Sequence, residues 1–194
     1  MENILSHNTS QTIPEFLINH GFNEDVVNKI LKRRPILKKT KASHLSQRIE
    51  YLKALGIQDI SKILIKEPSL MTFSSEALQK RVQYLRNLGV EYIAEMISKD
   101  SEILVYKIES LQKRVDYLAS LGIKNIPKII TQHPAILIYS PQALQKRVDY
   151  LASLGIKDIP KIILRRPSLL TGKPETFQIR INYFRSIGIF NIPK

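Results

Sequence analysis

Apolar residues recur along part of the chain with the spacing of a helix. In residues 140–155 they lie three or four positions apart, which predicts one amphipathic α-helix. These apolar positions are Leu144, Val148, Leu151 and Leu154. Ser140 suits the N-cap, and Gly155 suits the left-handed residue that often follows the last helical turn. The pattern therefore predicts a long helix with a defined start and end.

A second, shorter helix is predicted after the glycine. Asp158 can cap it, Pro160 fits its first turn, and Pro167 stops it after roughly two turns. Its apolar side consists of Ile159, Ile162 and Ile163. The segment Ser168–Leu170 is too short for an α-helix and predicts a 3₁₀ turn. The predicted module is long helix, short helix and 3₁₀ turn.

The same module recurs with a period of 33 residues. Each long helix carries an arginine at one fixed position, namely Arg48, Arg81, Arg114, Arg147 and Arg180. A tyrosine follows three residues later, namely Tyr51, Tyr84, Tyr117, Tyr150 and Tyr183. Such a period is typical of stacked supersecondary units. We therefore expect an all-α fold, an α-solenoid (superhelix) of about five to six helix–helix–3₁₀ repeats.

The period also sets the expected domain organisation. Residues 1–12 are expected to form a flexible N-terminus, and residues 13–194 a single repeat array. The repeats are expected at about 13–42, 43–74, 75–107, 108–140 and 141–173, with a partial repeat at 174–194. In the third repeat Ser101 replaces the proline that ends the short helix elsewhere, so this helix is expected to continue further.

Charge points to a polyanionic partner. Among 194 residues, 30 are Lys or Arg and 17 are Asp or Glu, a formal net charge of +13. This balance favours DNA or RNA and, less readily, an acidic membrane surface; a merely solvated basic solenoid is the alternative. The absence of cysteine excludes disulfides, thiolate metal sites and cysteine nucleophiles.

Two positions of the short helix are basic in most repeats. The first, near the helix start, holds Lys62, Glu95, Lys128, Lys161 and Lys194. The second, two residues before the proline position, holds Arg33, Lys66, Lys99, Gln132 and Arg165. Since the two positions are four residues apart, they share a helix face, and stacking is expected to align these faces into a basic stripe. The expected nucleic-acid-binding residues are Arg33, Lys62, Lys66, Lys99, Lys128, Lys161, Arg165 and Arg166. Acidic residues of the third repeat are expected to interrupt the stripe: Glu91, Glu95 and Asp100.

The recurring arginines and tyrosines each have two interpretations. Arg48 falls between Leu52 and Leu55 on the apolar arc, where an unpaired cation is costly. The arginines either donate to helix-end carbonyls and tie neighbouring repeats together, which we favour, or they contact phosphate. This choice applies to Arg48, Arg81, Arg114, Arg147 and Arg180. The tyrosines either stack on bases or, as we favour, pack half-buried with a hydrated hydroxyl.

No sequence motif indicates catalysis. The four histidines lack metal-ligand spacing, and there is no glycine-rich phosphate loop, HExxH or nucleophile elbow. We expect no enzymatic activity, cofactor, metal or small-molecule substrate.

Two segments show the repeated pattern most clearly: LSQRIEYLKALGI…ISKILIKEPSLM (Leu45–Met71) and LQKRVDYLASLGI…IPKIILRRPSLL (Leu144–Leu170). In this pattern the chain resembles the mitochondrial transcription termination factor (mTERF) family, from about Ile13 to the end. The ankyrin and tetratricopeptide signatures are absent. The resemblance implies a superhelix whose basic groove binds double-stranded DNA or RNA in organellar transcription, termination, ribosome assembly or intron splicing.

The expected function is therefore non-enzymatic nucleic-acid binding by a monomer, in transcription regulation or termination. The alternative is a helical-repeat scaffold for protein–protein interaction. No membrane partner is expected, because an exposed aromatic-rich amphipathic face is missing. The compartment stays open: cytoplasm in a prokaryote, or mitochondrion or chloroplast in a eukaryote, although no transit peptide is recognisable.

Overall fold

The computed structural model describes residues 11–187 of the chain. These residues form eleven α-helices and five 3₁₀ turns, and they contain no strand. In chain order the helices are α1 (Ile13–Asn19) and α2 (Glu24–Arg33), α3 (Ala42–Ala54) and α4 (Ile60–Lys66), α5 (Ser75–Asn87) and α6 (Ile93–Lys99), α7 (Ile108–Ser120) and α8 (Ile126–Gln132), α9 (Pro141–Ser153) and α10 (Ile159–Arg165), and α11 (Pro174–Ser186). The 3₁₀ turns are Pro35–Lys39, Pro68–Thr72, Ser101–Leu104, Pro134–Leu137 and Pro167–Leu170. The all-α helical-repeat fold is confirmed.

Each full module after the first has the predicted form, a helix of 13 residues, a helix of seven and a 3₁₀ turn. The first module differs, because α1 has seven residues and α2 has ten. No helix among residues 11–187 is long and apolar enough to cross a membrane.

The chain divides into two compact units, Met1–Val82 and Gln83–Lys194. In the first unit, the short helices α2 and α4 contact each other. In the second unit, α6 contacts α8, and the long helices α7 and α9 contact each other. The core of the second unit is built from the predicted apolar positions of the long helices, which include Leu111, Leu118, Leu144 and Leu151, all buried. Whether all the repeats form one array stays a prediction.

The helix ends of the fifth module lie where the sequence predicts them. The Ser140 hydroxyl accepts a hydrogen bond from the Ala143 N–H at 3.2 Å and caps α9. Gly155 has φ of 83°, the left-handed conformation that glycine adopts without a steric penalty. The Asp158 carboxylate accepts from the Lys161 N–H at 3.1 Å and caps α10. Local sequence signals therefore define both helices.

The expected extension of the third short helix is wrong. α6 ends at Lys99, the same position as in the other modules, although Ser101 replaces proline. Asp100 takes an extended conformation with φ of −150°, and its carboxylate accepts from the Glu102 N–H at 3.4 Å. An aspartate that caps the following 3₁₀ turn thus ends the helix as proline does elsewhere.

Candidate nucleic-acid interface

An exposed lysine occupies the third position of three short helices. Lys62 in α4, Lys128 in α8 and Lys161 in α10 each donate the backbone N–H to a capping side chain. The caps are Asp59, Asn125 and Asp158. A cation in the first turn of a helix faces the positive end of the helix dipole, so helix stability does not explain these lysines. Their side chains point a positive charge into solvent.

The second basic position lies at the other end of the short helix. Arg33, Lys66 and Arg165 are the last residues of α2, α4 and α10, and all are exposed. Here the helix dipole favours a cation, so part of their role is local stability. Arg166 follows as the exposed C-cap of α10. We use the term basic face for the eight predicted residues taken unit by unit. Those of the unit Met1–Val82 are Arg33, Lys62 and Lys66, and those of the unit Gln83–Lys194 are Lys99, Lys128, Lys161, Arg165 and Arg166.

The third module interrupts the basic face. Lys99 Nζ lies 2.7 Å from the exposed Glu95 carboxylate and 3.2 Å from the Thr131 carbonyl oxygen. Glu91, Glu95, Lys99 and Lys128 line one groove of about 460 Å³ between α6 and α8. Asp100, by contrast, is buried and caps a turn, so it does not contribute to this surface. Lys99 is therefore held by neighbours, whereas Lys128 faces the same groove from the next module.

Sequence reasoning missed a further basic cluster in the first module. It consists of exposed residues within the first 3₁₀ turn and on both sides of it: Lys29, Lys32, Arg34, Lys38, Lys39 and Lys41. Only Arg33 of this region belongs to the basic face. Comparison of the repeats did not find the cluster as a whole, because Lys32, Lys38 and Lys39 have no basic counterpart at the 33-residue period. Lys29, by contrast, aligns with Lys62, and Arg34 aligns with Arg166. Their density within 13 residues of sequence is the signal that would have found them.

The recurring arginine Arg114 is held by two backbone carbonyls and an aromatic ring. Its Nη1 donates to the Ser110 carbonyl at 2.7 Å, and its Nε donates to the Tyr139 carbonyl at 3.1 Å. Its guanidinium also lies 4.4 Å from the centroid of the Tyr106 ring. Tyr139 belongs to the segment that leads into α9, so this arginine joins its own helix to the start of the next module. These are the contacts expected of a structural role.

An aromatic ring before the long helix holds two more of these arginines. Arg81 lies 4.5 Å from the centroid of Phe73, and Arg147 lies 4.0 Å from the centroid of Tyr139. Each also donates to the carbonyl four residues earlier, as Arg114 does. The rings recur eight residues before the arginine, a 33-residue pattern that sequence reasoning missed. Cation–π contacts with partly desolvated rings contribute about 1 kcal/mol each.

Arg48 and Arg180 depart from this arrangement in opposite ways. Arg48 is buried, and its Nε and Nη1 have no hydrogen-bond partner. Burial lowers the pKa of its guanidinium, an effect that the Glu76 carboxylate partly offsets. Arg180 is exposed, and the residue eight positions before it is Gly172 rather than an aromatic residue. A Cβ at Gly172 would lie 2.5 Å from Cζ of Phe177, so a side chain at this position requires the Phe177 ring to move.

The recurring tyrosines link consecutive modules. The Tyr84 hydroxyl donates to Gln112 Oε1 at 3.0 Å, and Gln112 Nε2 donates to Asp116 at 2.7 Å. The same relay connects Tyr117 with Gln145 and Asp149, and Tyr150 with Gln178 and Asn182. We call these three chains of hydrogen bonds the tyrosine relays. Tyr84, Tyr117 and Tyr150 are half-buried, as favoured, but their hydroxyls bond to glutamine side chains rather than being simply hydrated. Tyr183 differs, because it is 61% exposed.

The first relay makes folding stability sensitive to alkaline pH. Burial, and then the Asp116 carboxylate, raise the pKa of Tyr84 from 10.0 to about 12. Because the pKa is higher in the folded than in the unfolded protein, this contribution to stability is complete below pH 10 and is lost between pH 10 and about 12. We expect the free energy of unfolding, measured by urea titration, to fall over this range more steeply than in Tyr84→Phe. Equal slopes for the two proteins would contradict this assignment.

The described residues contain no group of histidine and acidic side chains that could hold a metal ion. Lys194, the last residue of the first basic position, lies outside residues 11–187.

The mTERF family model matches residues 1–121 and 115–192, nearly the whole chain. No curated protein is significantly similar to the sequence.

Proposed function

Because the chain belongs to the mTERF family of helical-repeat proteins, we propose that it is a non-enzymatic protein that binds double-stranded DNA or RNA and regulates transcription, including its termination. Family membership indicates a nucleic-acid partner. The basic face is the proposed contact surface, and the phosphate backbone is its proposed target. A protein held on a duplex in this way would act as an obstacle to a moving polymerase.

Exposed lysines in the first turn of α4, α8 and α10 carry this proposal. Their position costs helix stability rather than adding to it, and a capping side chain leaves each ammonium group without a role in the cap. Phosphate binding gives these charges a function, because each neutralised phosphate releases condensed counterions. In the unit Gln83–Lys194 the proposed contacts from the last short helices are Lys128, Lys161, Arg165 and Arg166.

Binding of this kind depends steeply on salt. With about four phosphate contacts, affinity for a duplex falls roughly 100-fold between 50 and 200 mM monovalent salt. Fluorescence anisotropy with a labelled duplex of about 20 base pairs measures this slope, with DNA and RNA versions in parallel. Absence of binding to either duplex at about 50 mM salt would refute the proposed function.

A further inference from the structure

The last long helix, α11, exposes apolar side chains that its counterparts bury. Phe177, Ile181 and Phe184 occupy the positions that are buried in α7 and α9, yet no residue of α11 is buried. Phe184 is 43% exposed, whereas its counterpart Leu151 in α9 is 2% exposed. These residues line a groove of about 230 Å³ that also contains Leu151 and Ile156. One side of α11 is thus an apolar surface without a covering element among residues 11–187.

A second apolar stripe of α11 includes one position at which the repeat normally carries a lysine. Ile179 is 69% exposed and stands where α7 and α9 carry the exposed lysines Lys113 and Lys146. One and two turns further on, Tyr183 is 61% and Ile187 is 54% exposed. A solvated surface does not account for this change from lysine to isoleucine. Exposed apolar patches of this kind mark interaction surfaces.

Arg180 lies between the two apolar stripes. It is exposed, and it has neither a hydrogen bond nor an ion pair within residues 11–187. At the same position, Arg81, Arg114 and Arg147 each donate to a carbonyl and lie against an aromatic ring. Arg185 is also exposed and lines the groove beside Phe184. Two arginines within an apolar surface are complementary to an apolar surface that carries carboxylates.

We propose that this surface docks an amphipathic, acidic helix of another protein. We call it the α11 face and define it by Ile179, Arg180, Tyr183, Phe184 and Ile187. The apolar side of the partner helix covers the two stripes, and its carboxylates pair with Arg180 and Arg185. Tyr183 offers its hydroxyl to an acceptor on the partner, as Tyr150 offers its own to Gln178 of α11. The partner would therefore contact the Tyr183 side of α11, which corresponds to the Tyr150 side of α9 that contacts α11.

The charge of this chain argues for a different protein as the occupant. A second copy would bring another net charge of +13 to the interface. The segment 188–194 reads Gly-Ile-Phe-Asn-Ile-Pro-Lys and contains no acidic side chain to pair with Arg180. A helix with a leucine stripe flanked by glutamates meets both requirements of the surface: the leucines cover the apolar stripes, and the glutamates pair with Arg180 and Arg185.

A synthetic helical peptide of about 18 residues with such a leucine–glutamate pattern is the probe. We expect the full chain to bind it with a Kd of about 10–100 µM in fluorescence anisotropy. Two control peptides replace the leucines by serine or the glutamates by lysine, and both should bind at least about tenfold more weakly. The double variant Ile179→Lys, Tyr183→Ser should lose about tenfold in affinity, while Arg180→Glu should prefer the lysine peptide. Because these side chains are exposed, the circular dichroism spectrum should stay unchanged.

Three results would overturn the proposal. If the serine peptide bound as tightly as the leucine–glutamate peptide, charge attraction alone would explain the binding and the apolar stripes would have no part in it. Lack of binding by the full chain at millimolar peptide would exclude an acidic helix as the occupant. A dimer in sedimentation that Ile179→Lys converts to a monomer would assign the surface to a second copy. Duplex binding by the Ile179→Lys, Tyr183→Ser variant should equal that of the wild type, which separates this surface from the basic face.

Discussion

Charge reversal at Lys128, Lys161 and Arg165 is expected to weaken duplex binding at least about 100-fold at 100 mM salt. Each substitution to glutamate removes one phosphate contact and adds repulsion at the same place. The slope of log affinity against log salt should become shallower by about three, since counterion release falls with each lost contact. Anisotropy titrations at several salt concentrations measure both quantities.

The chain provides a matched control for this triple variant. Lys80, Lys113 and Lys146 are exposed lysines at one position of three long helices. Their replacement by glutamate changes the net charge by the same amount but leaves the basic face intact. We expect this control to weaken binding by less than about tenfold. Equal weakening by both triple variants would show that binding follows net charge alone, and the basic face would then not be the contact surface. All six positions are exposed, so urea denaturation should give similar stabilities for both variants.

Replacement of Arg114 by methionine is expected to lower the free energy of unfolding by about 2–4 kcal/mol. The change removes hydrogen bonds to the Ser110 and Tyr139 carbonyls and the contact with the Tyr106 ring. Methionine keeps most of the side-chain volume, so the loss reports the polar contacts rather than a cavity. Equilibrium urea unfolding followed by circular dichroism measures the difference.

The same substitution at Arg48 is expected to have the opposite outcome. Two of its guanidinium nitrogens are buried without a partner, and burial already disfavours the charged form. Arg48→Met should therefore be neutral or slightly stabilising, because a buried charge with incomplete hydrogen bonding is often replaced by an apolar group without loss. A loss at Arg48 as large as that at Arg114 would contradict this expectation and would mean that the guanidinium stabilises the fold by a polar interaction, such as attraction to the Glu76 carboxylate. The pair thus separates an arginine that joins two modules from one that only fills space.

Much of the fold could be predicted because its signals are local. Capping residues, helix-ending glycines and the spacing of leucines act within a few positions, and the period repeats them. The end of α6 was missed because Asp100 was read as a surface charge, whereas it caps a turn. A proline and an aspartate can end a helix at the same place by different means: one removes an N–H, and the other offers the next turn an acceptor.

The site was harder to predict than the fold because its contacts cross between modules. The partner of Tyr84 is Gln112, 28 residues later, and no local pattern joins them. The rings beside the arginines are periodic, yet their role depends on where the segment before the helix passes. On α11, the replacement of lysine by Ile179 is visible in the sequence. Its meaning emerges only from the exposed surface on which it lies.

The tyrosine relays have a consequence for how such a protein changes its length. Donor and acceptor always stand 28 residues apart, one in each of two consecutive modules. The segments Leu111–Ile130 and Leu144–Ile163 differ only at Asn125 and Asp158, which is the near identity that a recent duplication of one module leaves. A crossover between such copies inserts or deletes 33 residues and restores every relay in phase. Gene rearrangement can thus adjust the number of modules without the invention of a new interface.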